Sequence, residues 1–168
     1  MTATGIIELL TEDHQRLEQL CTELELGQGS PENRRDLADH LTAEVVRHTV
    51  AEEPYLPDGP GELAEADGLM RRLEGVGPQQ TRFETLLSAL IRAVRRHVRN
   101  EAPRVLEKLG SEHTPEQMRE LGKDVARARR NSRFLPHPAM ADRLPGEDML
   151  RPGPGFVDRA RSALSQPG

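Results

Sequence analysis

The stretches RHTVAEEPYLP (47–57) and RHVRNEAPRVL (96–106) carry one arrangement of side chains twice. In each, a histidine is followed four residues later by a glutamate and six residues later by a proline: His48, Glu52 and Pro54, then His97, Glu101 and Pro103. On a helix, positions i and i+4 share a face about 5–6 Å apart. Each pair therefore offers an imidazole nitrogen and a carboxylate oxygen to one point, a donor set that suits iron, manganese or zinc.

The surroundings of these residues matter as much as their spacing. His14, His48 and His97 fall on helical stripes otherwise made of Leu, Ile and Val, and Glu52 and Glu101 lie one turn further along two of those stripes. A single histidine on such a stripe is usually a core or boundary residue, and one His-x-x-x-Glu pair is often a surface hydrogen bond. Five such groups aimed at one core are different, because a buried carboxylate is costly unless it is paired or bound to a metal. Helical bundles build metal sites from side chains projecting inward in this way.

The elements that must position these groups are legible from periodicity. Residues 4–26 place Ile7, Leu10, His14, Leu17, Cys21 and Leu24 at steps of three and four, which predicts a helix with one narrow apolar face. Ser30 and Pro31 mark the start of a second helix carrying Leu37, Leu41, Val45, His48 and Glu52. A third, over 62–74, carries Leu63, Ala66, Met70 and Leu73. A fourth, from about residue 79, carries Phe83, Leu87, Leu90, Val94, His97 and Glu101, and Pro103 is expected to kink or end it. Thr114, Pro115 and Gln117 read as cap, first position and capping box of a fifth helix reaching to about residue 130.

Four amphipathic helices with short links predict an all-α, up-down-up-down four-helix bundle over 1–110. An additional C-terminal helix follows over 111–131. A proline-rich extended tail fills 132–168, with a short amphipathic turn near Phe156, Val157, Ala160 and Leu164.

Composition narrows the function classes. The net charge of −5 gives no reason to expect nucleic acid or an anionic membrane as partner. Arg92, Arg95, Arg96 and Arg99 on the fourth helix read as a solvated face. A single cysteine, Cys21, rules out an intrachain disulfide and suits a cytoplasmic protein. Cys21 itself reads as a small core residue. No signal peptide is apparent, and no stretch approaches the roughly 18 apolar residues of a membrane span. His40, His113 and His137 lie off the stripes. Phosphate-binding glycine loops, catalytic triads and zinc-ribbon cysteines are not found in the sequence.

In the segments EDHQRLEQL around His14, HTVAEE from His48, HVRNE from His97, and the tail PHPAMADRLPGEDMLRPGPGFVDRARSAL, the chain resembles the hemerythrin-like HHE cation-binding family, and its later part resembles actinobacterial members. That resemblance implies a four-helix bundle around a non-haem, usually di-iron centre. It implies His14, His48, Glu52, His97 and Glu101 as metal ligands, with Glu52 and Glu101 bridging. The third-helix histidine of the family falls on Leu63 in ELAEADGLM, and the second fourth-helix glutamate on Ala102. Pro54 and Pro103 interrupt helices that usually run on past the ligands.

The cofactor expected is therefore non-haem iron, one or two ions, with manganese and zinc also compatible. A single ion held mainly by His14, His48, Glu52 and Glu101 stays open, as does a bundle without metal. The partner expected is a small diatomic or peroxide ligand: dioxygen, peroxide or nitric oxide. Binding or sensing is expected ahead of peroxide breakdown. The second reading is a metal-free, degenerate bundle acting as an interaction or structural module.

Overall fold

Ser30 accepts a hydrogen bond from the Asn33 amide at 3.1 Å, and Pro31 occupies the first helical position, so the second helix starts where its cap dictates. Thr114 and Gln117 close a reciprocal capping box, with amide-to-side-chain distances of 2.8 and 3.1 Å. Between such signals the chain folds, in a computed structural model, as helices α1 (Ile6–Leu26), α2 (Pro31–Glu52), α3 (Gly61–Leu73), α4 (Thr81–Arg96), α5 (Ala102–Glu112), α6 (Pro115–Asn131) and α7 (Phe156–Ser165). The structure describes residues 5–27, 29–56, 61–131 and 154–165. Among these, no strand occurs and no helix is long and apolar enough to cross a membrane.

Contacts between named residues fix the topology. Arg34, early in α2, meets Leu24 late in α1 and Glu84 early in α4. At the opposite end His14 of α1 meets Glu52 of α2, and His48 of α2 meets His97 after α4. Arg35 of α2 donates to the carbonyl of Leu73 at the end of α3. The four helices therefore run up, down, up, down, as their stripes predict.

Their stripes form two apolar clusters. The larger joins Leu17, Leu24, Leu41, Val45, Met70, Phe83, Leu87, Leu90 and Val94, and the smaller joins Ile6, Leu10, Leu56, Leu63, Val105 and Leu109. The histidines lie at the seam between them, since Leu10 and Leu17 of α1, on either side of His14, belong to different clusters.

Two proline signals resolve differently. At Pro54, α2 gives way to a single 3-10 turn over Glu53–Tyr55. At Pro103 the helical run is neither ended nor broken. Proline offers no N–H to the carbonyl of Arg99 and its ring crowds that carbonyl. The chain absorbs this in a π turn over His97–Glu101, where the Ala102 amide bonds the carbonyl of His97, and then continues as α5. π turns inside α-helices occur frequently at functional sites.

The tail expectation changes at its end. Residues 132–153, with most of the tail motif and His137, lie outside the described residues. The amphipathic turn foreseen near Phe156 is a ten-residue helix, α7, with Phe156, Val157, Ala160 and Leu164 all buried in the larger cluster. Glu74 accepts from the amides of Gly155 and Val157 at 2.8 and 3.1 Å, which satisfies orphan donors at the start of α7. Arg161 pairs with Glu53 and Asp67, and Arg71 with Asp158. α7 packs along α2, and α2 is buried well beyond its predicted stripe: Ala38, Ala43 and Val46 join the same cluster as the α7 residues, and Thr42, Thr49, His40 and Glu44 are buried as well, Glu44 beside Arg16 of α1.

Cys21 packs inside the larger cluster, fully buried, and burial pushes its thiol up to about 12. Near neutral pH this leaves on the order of a thousandfold less thiolate than in a free cysteine of pKa about 8.5. A thiol reagent at pH 8 should therefore label the folded protein only slowly and label it promptly in denaturant. Equal rates in the two conditions would contradict this packing.

Candidate metal centre

His14, His48, Glu52 and His97 come together in the bundle interior, each contributing one donor atom, with all four atoms within 4.8 Å of one another. His48, Glu52 and His97 have no solvent exposure, and His14 retains 7%. The three imidazole Nε2 atoms converge on one carboxylate. Nε2 of His14 lies 3.1 Å from Oε2 of Glu52, Nε2 of His97 lies 3.1 Å from Oε1, and Nε2 of His48 abuts Oε2. The Nε2 atoms of His48 and His97 are 3.2 Å apart. The three rings stand edge to face, with centroids 4.7 to 5.7 Å apart.

Behind this inner set stand two more carboxylates. Asp13 Oδ2 lies 3.0 Å from Nδ1 of His48, and Glu101 Oε1 lies 3.1 Å from Nδ1 of His97. A carboxylate on Nδ1 holds a proton there and directs Nε2 inward, the arrangement that orients metal-binding histidines. Glu101, expected among the ligands, thus sits on the far side of the His97 ring from Glu52. Its other oxygen lies against the start of α3, where any Cβ at Gly61 would overlap the Glu101 carboxylate. Gly61 also has φ of 46°, in the left-handed region that favours glycine.

Asp13 is the site residue that the periodicity analysis passed over. The signal was present: Leu10, Asp13, Leu17, Leu20 and Leu24 repeat at steps of three and four beside the chosen stripe, and all five are buried. Arg129, which makes two contacts to Asp13, lies on α6 and carries no local signal at all. Leu63, in the position expected to lack a ligand, is 2% exposed and packs in the smaller apolar cluster.

The electrostatics are those of a site built to hold positive charge. Burial pushes the Glu52 carboxyl up, but the His48 charge, the close Nε2 groups of His14 and His48 and the nearby His97 ring outweigh it and hold Glu52 well below the usual carboxylate range. Burial likewise opposes ionisation of Asp13, and is outweighed by His48 and Arg129. Burial disfavours a charge on His48, yet Glu52 and Asp13 raise it to about 9. His14 goes the other way, lowered chiefly by burial. The charged His48 ring thus stands between two carboxylates, and the proton on its Nε2, toward Glu52, is the one a cation would replace, since metal binding at such sites releases protons.

The donor set fits a cation by two tests. Ligands at about 2.1 Å from a tetrahedral ion lie roughly 3.4 Å apart, inside the spread of separations here, which runs from the close approach of His48 to Glu52 through contacts of 3.1–3.2 Å to at most 4.8 Å. Glu52 Oε1 is buried and has no aligned hydrogen bond, although His97 Nε2 is within contact distance. An ion would satisfy that oxygen. A cavity of about 260 Å³ beside Tyr55, Leu121 and Arg129 is separate from this set, since none of the four donors lines it.

A helical bundle with three histidines and a glutamate buried at its seam has the donor set of a cation site. The family model for the hemerythrin HHE cation binding domain matches residues 5–109, well over half the chain, and the protein belongs to that family. No curated protein and no solved structure gives a significant match. The matched segment contains every residue of the inner set and stops before α6.

Proposed function

We propose that this protein binds a single non-haem iron ion through His14, His48, Glu52 and His97 and uses it to bind or react with a small oxidant such as dioxygen, peroxide or nitric oxide. The observation that carries the reading is the convergence of three Nε2 atoms on the buried Glu52 carboxylate, with carboxylates fixing the outer nitrogens of two of the rings. Three imidazoles and one carboxylate suit iron. Manganese and zinc share this preference, so the metal itself is part of the proposal.

One ion rather than two is supported by position. Four donor atoms within 4.8 Å serve a single cation, whereas paired metals about 3.5–4 Å apart need further ligands on the outer side of each. Glu101 faces the wrong nitrogen of His97 to bridge, and Leu63 offers no donor.

Iron held there supplies an open coordination position and a one-electron couple. The chain's own residues do the rest. His48 and His97 present Nε2 because Asp13 and Glu101 hold the protons at Nδ1. Glu52 supplies the anionic ligand. The apolar clusters on either side exclude bulk water, and the full burial of His48, Glu52 and His97 favours a ligand of only a few atoms, which is why the reading names diatomics and peroxide.

The test is anaerobic loading with ferrous iron followed by titration with nitric oxide. A visible absorption change saturating at one equivalent per bound iron is expected. Iron that binds but gives no response to nitric oxide, dioxygen or peroxide would overturn the small-oxidant reading.

A further inference from the structure

Arg129 stands at the head of a relay that ends on the metal-facing side of His48. Its Nη1 donates to Asp13 Oδ1 at 3.0 Å and its Nη2 to Asp13 Oδ2 at 2.6 Å, a two-pronged pair. The same Oδ2 lies 3.0 Å from His48 Nδ1. Asp13 is 3% exposed and the Arg129 side chain 11%, so neither is screened by water to any extent. Arg16 also approaches Asp13, but at 3.6 Å and with its side chain 45% exposed, so it is the weaker partner. Arg129 comes from α6, beyond the segment matched by the family model.

The chemistry of such a relay has a direction. A carboxylate on Nδ1–H pushes electron density through the imidazole toward Nε2 and makes it a stronger ligand. A guanidinium bound through both its terminal nitrogens draws charge from that carboxylate. We infer that Arg129 is a positioning residue that limits how strongly Asp13 polarises His48, so that helix α6 tunes the electronic state of an ion in the bundle. This inference rests on the metal-binding reading above.

The relay makes opposite predictions for its two members. Removing Arg129 frees Asp13 to polarise His48 more strongly, which favours the more oxidised ion. Removing the Asp13 charge does the reverse. A role in mere rigidity would loosen the site in both variants and shift them the same way.

The experiment is the midpoint potential of the iron-loaded full chain for wild type, Arg129→Gln, Arg129→Lys and Asp13→Asn. Arg129→Gln should raise the preference for oxidised over reduced iron about tenfold, equivalent to a fall of about 59 mV for a one-electron couple. Arg129→Lys should restore part of it, and Asp13→Asn should shift the potential upward. Shifts of the same sign for Arg129→Gln and Asp13→Asn, or no shift for Arg129→Gln, would overturn the inference.

A second readout needs no metal. In the metal-free protein the His48 Nδ1–H proton resonance should move downfield in Arg129→Gln and upfield in Asp13→Asn. Wild-type protein that binds no iron would sink the metal reading. The resonance would still decide whether Arg129 governs His48, and an unmoved resonance would reject the relay.

Discussion

Glu52→Gln should abolish the proposed metal binding while leaving the helical fold in place. The side chain keeps its size and shape, so the packing around it is preserved, but the only anion of the inner set is gone. Three neutral imidazoles remain, and an amide nitrogen or oxygen replaces the carboxylate on which their Nε2 atoms converge. Loss of an orienting group behind a ligand typically weakens affinity by about 10–100-fold. Loss of the central charged ligand should exceed that, enough to strip the ion during gel filtration. Circular dichroism should be unchanged at low temperature. Metal content equal to wild type would place the ion elsewhere.

Phe156→Ala should destabilise the whole domain, although Phe156 lies 47 residues beyond the end of the matched family segment at residue 109. Its side chain is fully buried in the larger cluster together with Val157 and Ala160. Deleting a buried phenylalanine ring removes its transfer free energy and leaves a cavity, about 3–5 kcal/mol in all. Leu26→Ala is the control: Leu26 is 63% exposed, and such a surface change should stay within about 0.5 kcal/mol. Denaturant unfolding of the two variants measures both. A loss below about 1 kcal/mol for Phe156→Ala would mean that α7 only rests on the bundle.

The fold was legible because apolar residues recur at steps of three and four, and because Ser30, Pro31, Thr114 and Gln117 are caps whose chemistry is local. The inner site was legible for the same reason. His14, His48, Glu52 and His97 are polar residues at positions the period reserves for apolar ones, and burial makes that departure conspicuous. What local pattern could not supply was direction. Glu101 keeps helical spacing from His97, yet within the π turn its carboxylate lies against Nδ1, behind the ring rather than in front of it.

Longer-range partners were illegible on different grounds. Arg129 meets Asp13 across 116 residues, and nothing in the sequence of α6 distinguishes it from Arg127 or Arg130. The apolar side of α7 was visible as a short amphipathic turn. That it would cover α2 depends on Glu74, Glu53, Asp67 and Arg71 lying opposite its backbone and charges, a match that only the assembled bundle presents. Leu63 is the instructive middle case. Its type ruled out a ligand, and its place in the apolar cluster gives the reason it can be leucine.

The central claim is one ion in one buried set of four donors. Metal analysis of protein loaded anaerobically with ferrous iron and freed of excess tests it most directly, with wild type and Glu52→Gln run side by side. The account predicts one iron per wild-type chain and essentially none in the variant. Two irons per chain, or none in wild type, would contradict it.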